Sequence, residues 1–251
     1  MIGRWFKKKR MDRTEDNGEK VVLPFVTDLH SHLLPGIDDG AKTLQESLKL
    51  LSGLEALGYR RIYTTPHIMS DSYRNSSETI RKGLEKLRSA AKEEGLTLKI
   101  DAAAEYYLDE LLFERLDQGD VLTVGNRLLL FETSYYNEPL QLEERIYEIS
   151  ARGYQPLMAH PERYRYVKDP ENFYGRLKSL GVLFQVNINS LGGYYGKDAG
   201  DKALWLAKRG WIDYLGSDMH GTKHLEFLQK SFGAEAFKEA ISNNCILNDT
   251  I

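Results

Sequence analysis

Residues 27–40 read TDLHSHLLPGIDDG: an apolar run ends in two histidines, His30 and His32, and the chain then turns at Pro35, Gly36 and Gly40 around a pair of aspartates. In an extended backbone, residues two apart point to the same side, so both imidazoles face one region and can share a metal ion. The turn is able to carry Asp38 or Asp39 back over that region. A His-x-His alone also reads as a partly buried histidine pair, so its meaning depends on whether the pattern recurs.

It recurs along the chain. Apolar or β-branched runs at 22–29, 60–65, 97–103, 127–132, 155–159, 182–187 and 212–216 read as strands. They alternate with stretches of helical period, such as Leu44, Leu48, Leu51 and Ile80, Leu84, Leu87, Ala91. Gly58, Gly95, Gly153, Gly181 and Gly210 stand where C-terminal helix caps are expected. Seven strand–helix alternations imply parallel strands joined by right-handed crossovers, hence an α/β fold. Polar and ionisable residues follow strand after strand, which favours a barrel over an open sheet, because a barrel gathers its site at that end.

Five of the six histidines fall just after a predicted strand: His30, His32, His67 in TTPH, His160 in PLMAH and His220 in GSDMH. Asp218 shares the last motif, and Glu105 ends the small-residue strand DAAAE. Neutral imidazoles with carboxylates suit Zn²⁺, Mn²⁺ or Fe²⁺, and so many donors exceed the needs of one ion. Glu132 reads as a carboxylate at a strand end that is solvated or supports a ligand at least as readily as it ligates, and it is not counted among the ligands. Asn187 and Asn189 read either as donors lining the pocket or as ordinary turn residues. The paired tyrosines, including Tyr135/Tyr136 and Tyr194/Tyr195, read first as core and rim packing.

The motifs DLHSHLLPGIDDG, TTPH, AEYYLDE, AHPERY and GSDMH, in this order, resemble the polymerase-and-histidinol-phosphatase (PHP) superfamily. Within it they are most similar to the metal-dependent protein-tyrosine phosphatases of bacterial capsule and exopolysaccharide operons, the CpsB/CapC/YwqE type. The resemblance implies a distorted (β/α)7 TIM-like barrel with two or three divalent ions, most often Mn²⁺, with Fe, Co or Zn as alternatives. It implies His30, His32, Asp39, His67, Glu105, His160, Asp218 and His220 as metal ligands, Glu105 bridging, and Arg163 as the holder of the phosphate. The family's second arginine, beyond the SDMH motif, is replaced here by Lys223 and His224. His224, Asp39 or a metal-bound water then stand as sources of a proton for the leaving group. The implied substrate is the phosphotyrosine tail of a membrane-bound tyrosine autokinase. The alternative is a small phosphomonoester such as histidinol phosphate.

Composition agrees with a cytoplasmic enzyme of one catalytic domain, residues 21–251. The 251 residues, 41% of them hydrophobic, suffice for one sizeable core. A net charge of −3 gives no reason to expect a nucleic-acid partner. Cys245 is the single cysteine, so no disulfide or thiolate metal site is available. Nor can it serve a thiolate-dependent tyrosine phosphatase, which needs an arginine six residues on, where Ile251 stands. No stretch has the roughly 20 apolar residues of a membrane span. Residues 1–20 read as a basic, flexible arm. In MIGRWFKKKR, Trp5 and Phe6 among five basic residues suit either weak contact with an anionic membrane surface or a solubilising tail.

Overall fold

Parallel pairing runs through every strand of the computed structural model, which describes residues 23–251. The strands are β1 (Thr27–Asp28), β2 (Arg61–Thr64), β3 (His67–Ile68), β4 (Lys99–Ala102), β5 (Glu105–Tyr107), β6 (Leu128–Glu132), β7 (Gln155–Ala159), β8 (Leu183–Asn187) and β9 (Tyr214–Gly216). The predicted basic arm and its membrane contact lie outside the described residues.

β2 with β3, and β4 with β5, are two chain paths each interrupted by a short break, so seven strands are present in space. Hydrogen bonds from Ala103 N to Thr64 O (2.9 Å) and from Glu105 N to Pro66 O (3.1 Å) carry the ladder across both breaks. The two sheets, β1-β2-β4 and β3-β5-β6-β7-β8-β9, therefore continue one another. The ring closes where Ser31 bridges Met219, through Asp218 N to His30 O and His32 N to Met219 O, both 2.9 Å. At the opposite end of that seam Asn248 takes the place of a strand residue. Its Nδ2 donates to Thr27 O (2.8 Å) and Leu215 O (2.7 Å), and its Oδ1 accepts from Leu215 N (3.0 Å). The result is the distorted seven-stranded α/β barrel expected from the sequence.

Two strand boundaries differ from the sequence reading in a way that matters. His67 and Glu105 do not follow their strands but sit inside the short segments β3 and β5, paired in register with each other. The first strand is also shorter than the 22–29 run.

The period of two along the strands separates the interior from the outer layer. In β6, Leu129 and Phe131 pack outward against helices while Leu130 and Glu132 point in; in β7, Met158 points out while Leu157 and Ala159 point in. The outer layer holds α1 (Leu44–Leu57), α2 (Ser77–Glu93), α3 (Glu110–Gln118), α4 (Leu142–Ala151), α5 (Pro170–Ser179), α6 (Ile188–Leu191), α7 (Lys197–Arg209), α8 (Thr222–Ser231) and α9 (Glu235–Asn243). The α2 stripe Ile80, Leu84, Leu87, Ala91 is buried as its spacing predicts. On α1 the buried face is rotated to Ser47, Leu50, Leu51 and Leu54, leaving Leu44 and Leu48 half-buried. All five predicted cap glycines have positive φ.

Inside the barrel the lower layers are apolar, with Leu29, Tyr63, Leu130 and Leu157. Towards the C-terminal ends of the strands the inward positions become Ala103, Ala159 and Gly216, which leave room for larger polar side chains. A Cβ on Gly216 would lie 2.6 Å from Gln185 Nε2 and 2.8 Å from His30 Cβ.

Candidate metal centre

His30 and His32 leave the end of β1 on one side of an extended backbone, while Ser31 between them turns away and donates to Tyr63 O (2.8 Å). Their Nε2 atoms face each other at 3.2 Å. The outer nitrogens are held: His30 Nδ1 by Gln185 Oε1 (2.6 Å) and His32 Nδ1 by Asp38 Oδ2 (2.8 Å). Each acceptor fixes the Nδ1–H tautomer, so the inward Nε2 keeps its lone pair.

The turn after Pro35 sorts its two aspartates by role. Asp38 is buried and holds His32, with its other oxygen accepting from Gly40 N (3.0 Å). Asp39 is half-exposed, and its Oδ1 lies 3.4 Å from both His67 Nε2 and His220 Nε2. Gly40 makes this arrangement fit, because a Cβ there would stand 2.1 Å from His32 O.

Glu105 occupies the centre. It is fully buried, and its Oε2 lies 3.2 Å from His30 Nε2, 3.3 Å from His32 Nε2 and 3.2 Å from His67 Nδ1, while Oε1 lies 2.9 Å from His160 Nε2. Asp218 Oδ1 stands 3.5 Å from the Nε2 atoms of His30 and His32 and 3.4 Å from His220 Nδ1. Its Oδ2 accepts from Arg163 Nη1 (2.9 Å), Asn187 Nδ2 (2.7 Å) and Tyr195 OH (3.2 Å). His160 and Asp218 both have left-handed backbone, with φ of 32° and 49°. That conformation costs a non-glycine residue about 1–3 kcal/mol, and here it turns two donors at strand ends back toward the barrel axis.

The spacing can be tested against an ion. Tetrahedral bonds of about 2.0–2.1 Å require donor atoms about 3.3–3.4 Å apart, and the separations among His30, His32 and Glu105 are 3.2–3.3 Å, with Asp218 Oδ1 3.5 Å from both histidines. Glu105 Oε2 and His67 Nδ1 are buried without a hydrogen-bond partner although they lie 3.2 Å apart. Buried polar atoms that converge with no hydrogen bond to satisfy them fit a shared cation. Three overlapping donor groups meet this description: His30/His32/Glu105, His32/Asp39/His67/His220 and His67/Glu105/Glu132.

Electrostatics point the same way. Burial alone would raise Glu105 and Asp218, yet the surrounding imidazoles hold both carboxyls well below their usual range. Burial alone would lower His67 and His220, yet the carboxylates raise both. A site so rich in buried anionic oxygen attracts positive charge, and divalent cations compete there with protons.

Glu132 stands in this cluster rather than in solvent: it is buried, with Oε1 2.9 Å from His67 Nδ1. The signal was its position two residues beyond inward-facing Leu130. Gln185 was missed altogether, though it shares the inward face of β8 with Asn187, to whose Oδ1 its Nε2 donates (2.9 Å). Asn187 lines the network, whereas Asn189 instead ties α6 to α8 by donating to His224 O (3.1 Å). His224 is not brought to the cavity. Its Nδ1 accepts from His220 N (3.1 Å), its ring packs on Tyr194, and burial lowers its pKa to about 4. Lys223 is exposed and does not line the cavity either.

A cavity of about 480 Å³ opens over these donors, lined by Asp39, His67, Glu105, Glu132, His160, Arg163, Asp218 and His220 with Tyr73, Tyr107, Tyr135 and Tyr195. The Arg163 guanidinium lies between the rings of Tyr135 (4.7 Å) and Tyr195 (4.2 Å). The tyrosines thus divide: Tyr135 and Tyr195 shape the cavity, whereas Tyr106 and Tyr164 are core.

Residues 26–244 match the family described as capsular polysaccharide synthesis, CpsB/CapC. The chain is 28% identical over 217 residues to tyrosine-protein phosphatase YwqE of Bacillus subtilis, covering 83% of this chain and 85% of that one. It is 27% identical over 231 residues to tyrosine-protein phosphatase CpsB of Streptococcus pneumoniae, covering 86% and 95%. A solved structure from work on these two proteins, described as unique metal-dependent tyrosine phosphatases, superposes with a TM-score of 0.75 at 26% identity, covering 88% of this chain and 96% of that one.

Proposed function

The chain belongs to the CpsB/CapC family of capsular polysaccharide synthesis, and on that premise we propose that it is a metal-dependent phosphatase acting on protein phosphotyrosine. The observation that carries the reading is the convergence of three donors, His30, His32 and Glu105, at the spacing an ion requires, near a guanidinium clamped between two tyrosine rings.

His30, His32, Asp39, His67, Glu105, His160, Asp218 and His220, joined by Glu132, would hold two or three divalent ions, with Mn²⁺ suited to this mixed nitrogen and oxygen set. Bound there, such ions supply Lewis acidity that lowers the pKa of water and stabilises phosphoryl charge. Arg163 remains protonated beside Asp218 and offers its other N–H groups to the phosphate, a charge-assisted contact. Tyr73, Tyr107, Tyr135 and Tyr195 give the cavity aromatic walls that suit an aryl ester. Neither His224 nor Asp39 is arranged to donate a proton. His224 is neutral and outside the cavity, and the Asp39 carboxyl, which burial would raise, is driven well below the usual range by His220 and His67. A phenol of pKa near 10 departs with less acid assistance than an alkyl alcohol requires.

The tail of a membrane-bound tyrosine autokinase is the proposed physiological substrate, which would place this protein at the cytoplasmic face of the membrane. Among the described residues no helix is long and apolar enough to cross a membrane. The test is elemental analysis of the purified protein together with hydrolysis of a phosphotyrosine peptide before and after chelation and after Mn²⁺ is restored. Full turnover by metal-free protein would refute the metal dependence. Turnover of histidinol phosphate but of no phosphotyrosine peptide would move the chain to a small-molecule role.

A further inference from the structure

Beside the metal cavity lies a second of about 540 Å³, which shares Tyr135, Tyr136, Arg163 and Tyr195 with it as a common wall. Its chemistry is the opposite. The metal cavity presents carboxylates, whereas the second is lined by Arg163, Arg165, Lys168 and Lys197, with Asp198 the single acid among its lining residues. Asp198 is turned onto Lys202 (2.7 Å), and Lys197 pairs with Asp201. Arg163 is engaged with Asp218. Arg165 and Lys168 are both exposed, and neither has a carboxylate partner among the described residues.

Arg165 is nevertheless held in place. Its backbone N–H donates to Tyr135 O (2.7 Å), and its guanidinium lies over the Tyr136 ring at 5.2 Å, although Tyr136 is itself 65% exposed. The start of α7 also lines this cavity, through Lys197, Asp198 and Ala199. Its cap residue, Gly196, has no side chain to satisfy the first-turn amides, which leaves a partial positive charge facing the same space.

Unlike Arg163 and Tyr195, the groups Arg165, Lys168 and the start of α7 make no contact with the donor cluster and do not line the metal cavity. Resting on the phosphotyrosine reading above, we infer that this second cavity is a subsite for a further anionic side chain of the substrate peptide, an acidic residue or a second phosphotyrosine near the one being cleaved. Residues two apart in an extended peptide project to the same side about 7 Å apart. A phosphotyrosine in the metal cavity therefore directs the side chain two positions away over the shared aromatic wall, towards Arg165 and Lys168.

The experiment uses metal-loaded full-length protein and fluorescent peptides with a non-hydrolysable difluorophosphonate in place of the tyrosine phosphate, so that binding is read without turnover. Peptides carry alanine, glutamate or a second phosphonate two positions to either side, and their dissociation constants are measured by anisotropy against wild type and an Arg165→Ala/Lys168→Ala double variant. For one of the two sides, the wild type is expected to bind an anionic peptide about tenfold more tightly than the alanine peptide, with the advantage falling as salt is raised. The double variant should lose that advantage and bind the alanine peptide within twofold of wild type. Equal wild-type affinities, or an advantage that survives in the double variant, overturn the subsite. Glutamate and phosphonate arms show which anion it takes. Hydrolysis of the matching phosphotyrosine peptides is followed separately: its absence would overturn the phosphatase reading, while the binding comparison still decides the subsite.

Discussion

Replacing Gln185 by methionine, which has nearly the same shape, tests whether the metal centre depends on residues that never meet an ion. Gln185 Oε1 accepts from His30 Nδ1 at 2.6 Å, and its Nε2 donates to Asn187 Oδ1, whose Nδ2 in turn donates to Asp218 at 2.7 Å. One buried amide therefore sets the tautomer of one donor and, through Asn187, the orientation of a second. Loss of such support typically weakens metal affinity about 10–100-fold, equivalent to about 1.4–2.8 kcal/mol. The orphaned His30 Nδ1 and Asn187 Oδ1 would also cost about 1–3 kcal/mol each, because both stay buried. Competitive titration with a chromophoric chelator should show the affinity loss, and turnover should largely recover at saturating Mn²⁺. Gln185→Glu keeps an acceptor for His30 but loses the donor to Asn187, so it should retain more of the affinity than Gln185→Met. An unchanged titration midpoint in Gln185→Met, or an equal loss in Gln185→Glu, would refute the tautomer argument.

Arg163→Ala should lower turnover of a phosphotyrosine peptide by about 10²-fold or more, near 3 kcal/mol of transition-state stabilisation, while elemental analysis finds the metal content unchanged. Asp218 keeps Asn187 and Tyr195 as partners in that variant, so loss of metal would instead assign Arg163 to ligand support. Asn248→Ala should lower unfolding stability by about 2–4 kcal/mol, since Thr27 O and both backbone groups of Leu215 lose a buried partner. Denaturant titration measures it, and metal affinity, set at the other end of the barrel, should move less than twofold. Saturating Mn²⁺ at about 100 times its dissociation constant should stabilise the chelated protein by about 2.7 kcal/mol per independent site. At about 2–4 °C per kcal/mol for a chain of this size, calorimetry should find the melting temperature higher by at least 5 °C, and no shift would count against a structured centre.

The sequence was informative wherever a residue's chemistry and its period agreed. Histidines after apolar runs are rare enough to mark strand ends, and the structure gathers His30, His32, His67, His160 and His220 at one end of the barrel. Glu132 was weighed and set aside because a carboxylate at a strand end has a solvated alternative, and burial is not visible in a single motif. Gln185 carried no signal of its own type; only the inward alternation of β8 marks it. His224 misled in the other direction, since two residues of a helix start after GSDMH can face either the cavity or Tyr194, and the register of α8 turns it to Tyr194. The breaks that place His67 and Glu105 inside β3 and β5 arise from tertiary pairing across residues 65–66 and 103–104, which no local pattern encodes.

Those breaks and the two left-handed donors have a common physical origin. Parallel strands project alternate side chains inward at fixed spacing, too coarse by itself to bring eight or nine donor atoms within a few ångströms of one another. Interrupting two strands advances His67 and Glu105 into register with each other, and turning His160 and Asp218 into left-handed backbone points them back over the axis. Each device costs conformational energy, and the buried carboxylates add desolvation. The ring can bear these costs because it is hydrogen-bonded closed at both ends of the β1–β9 seam, by Ser31 with Met219 beside the donors and by Asn248 opposite. Divalent cations bound there would offset the remaining cost directly, since they would favour the strained, anionic arrangement over any relaxed one. Metal affinity and barrel stability are on this view linked but separable, and substitutions at Gln185 and Asn248 separate the part that belongs to the donors from the part that belongs to the ring.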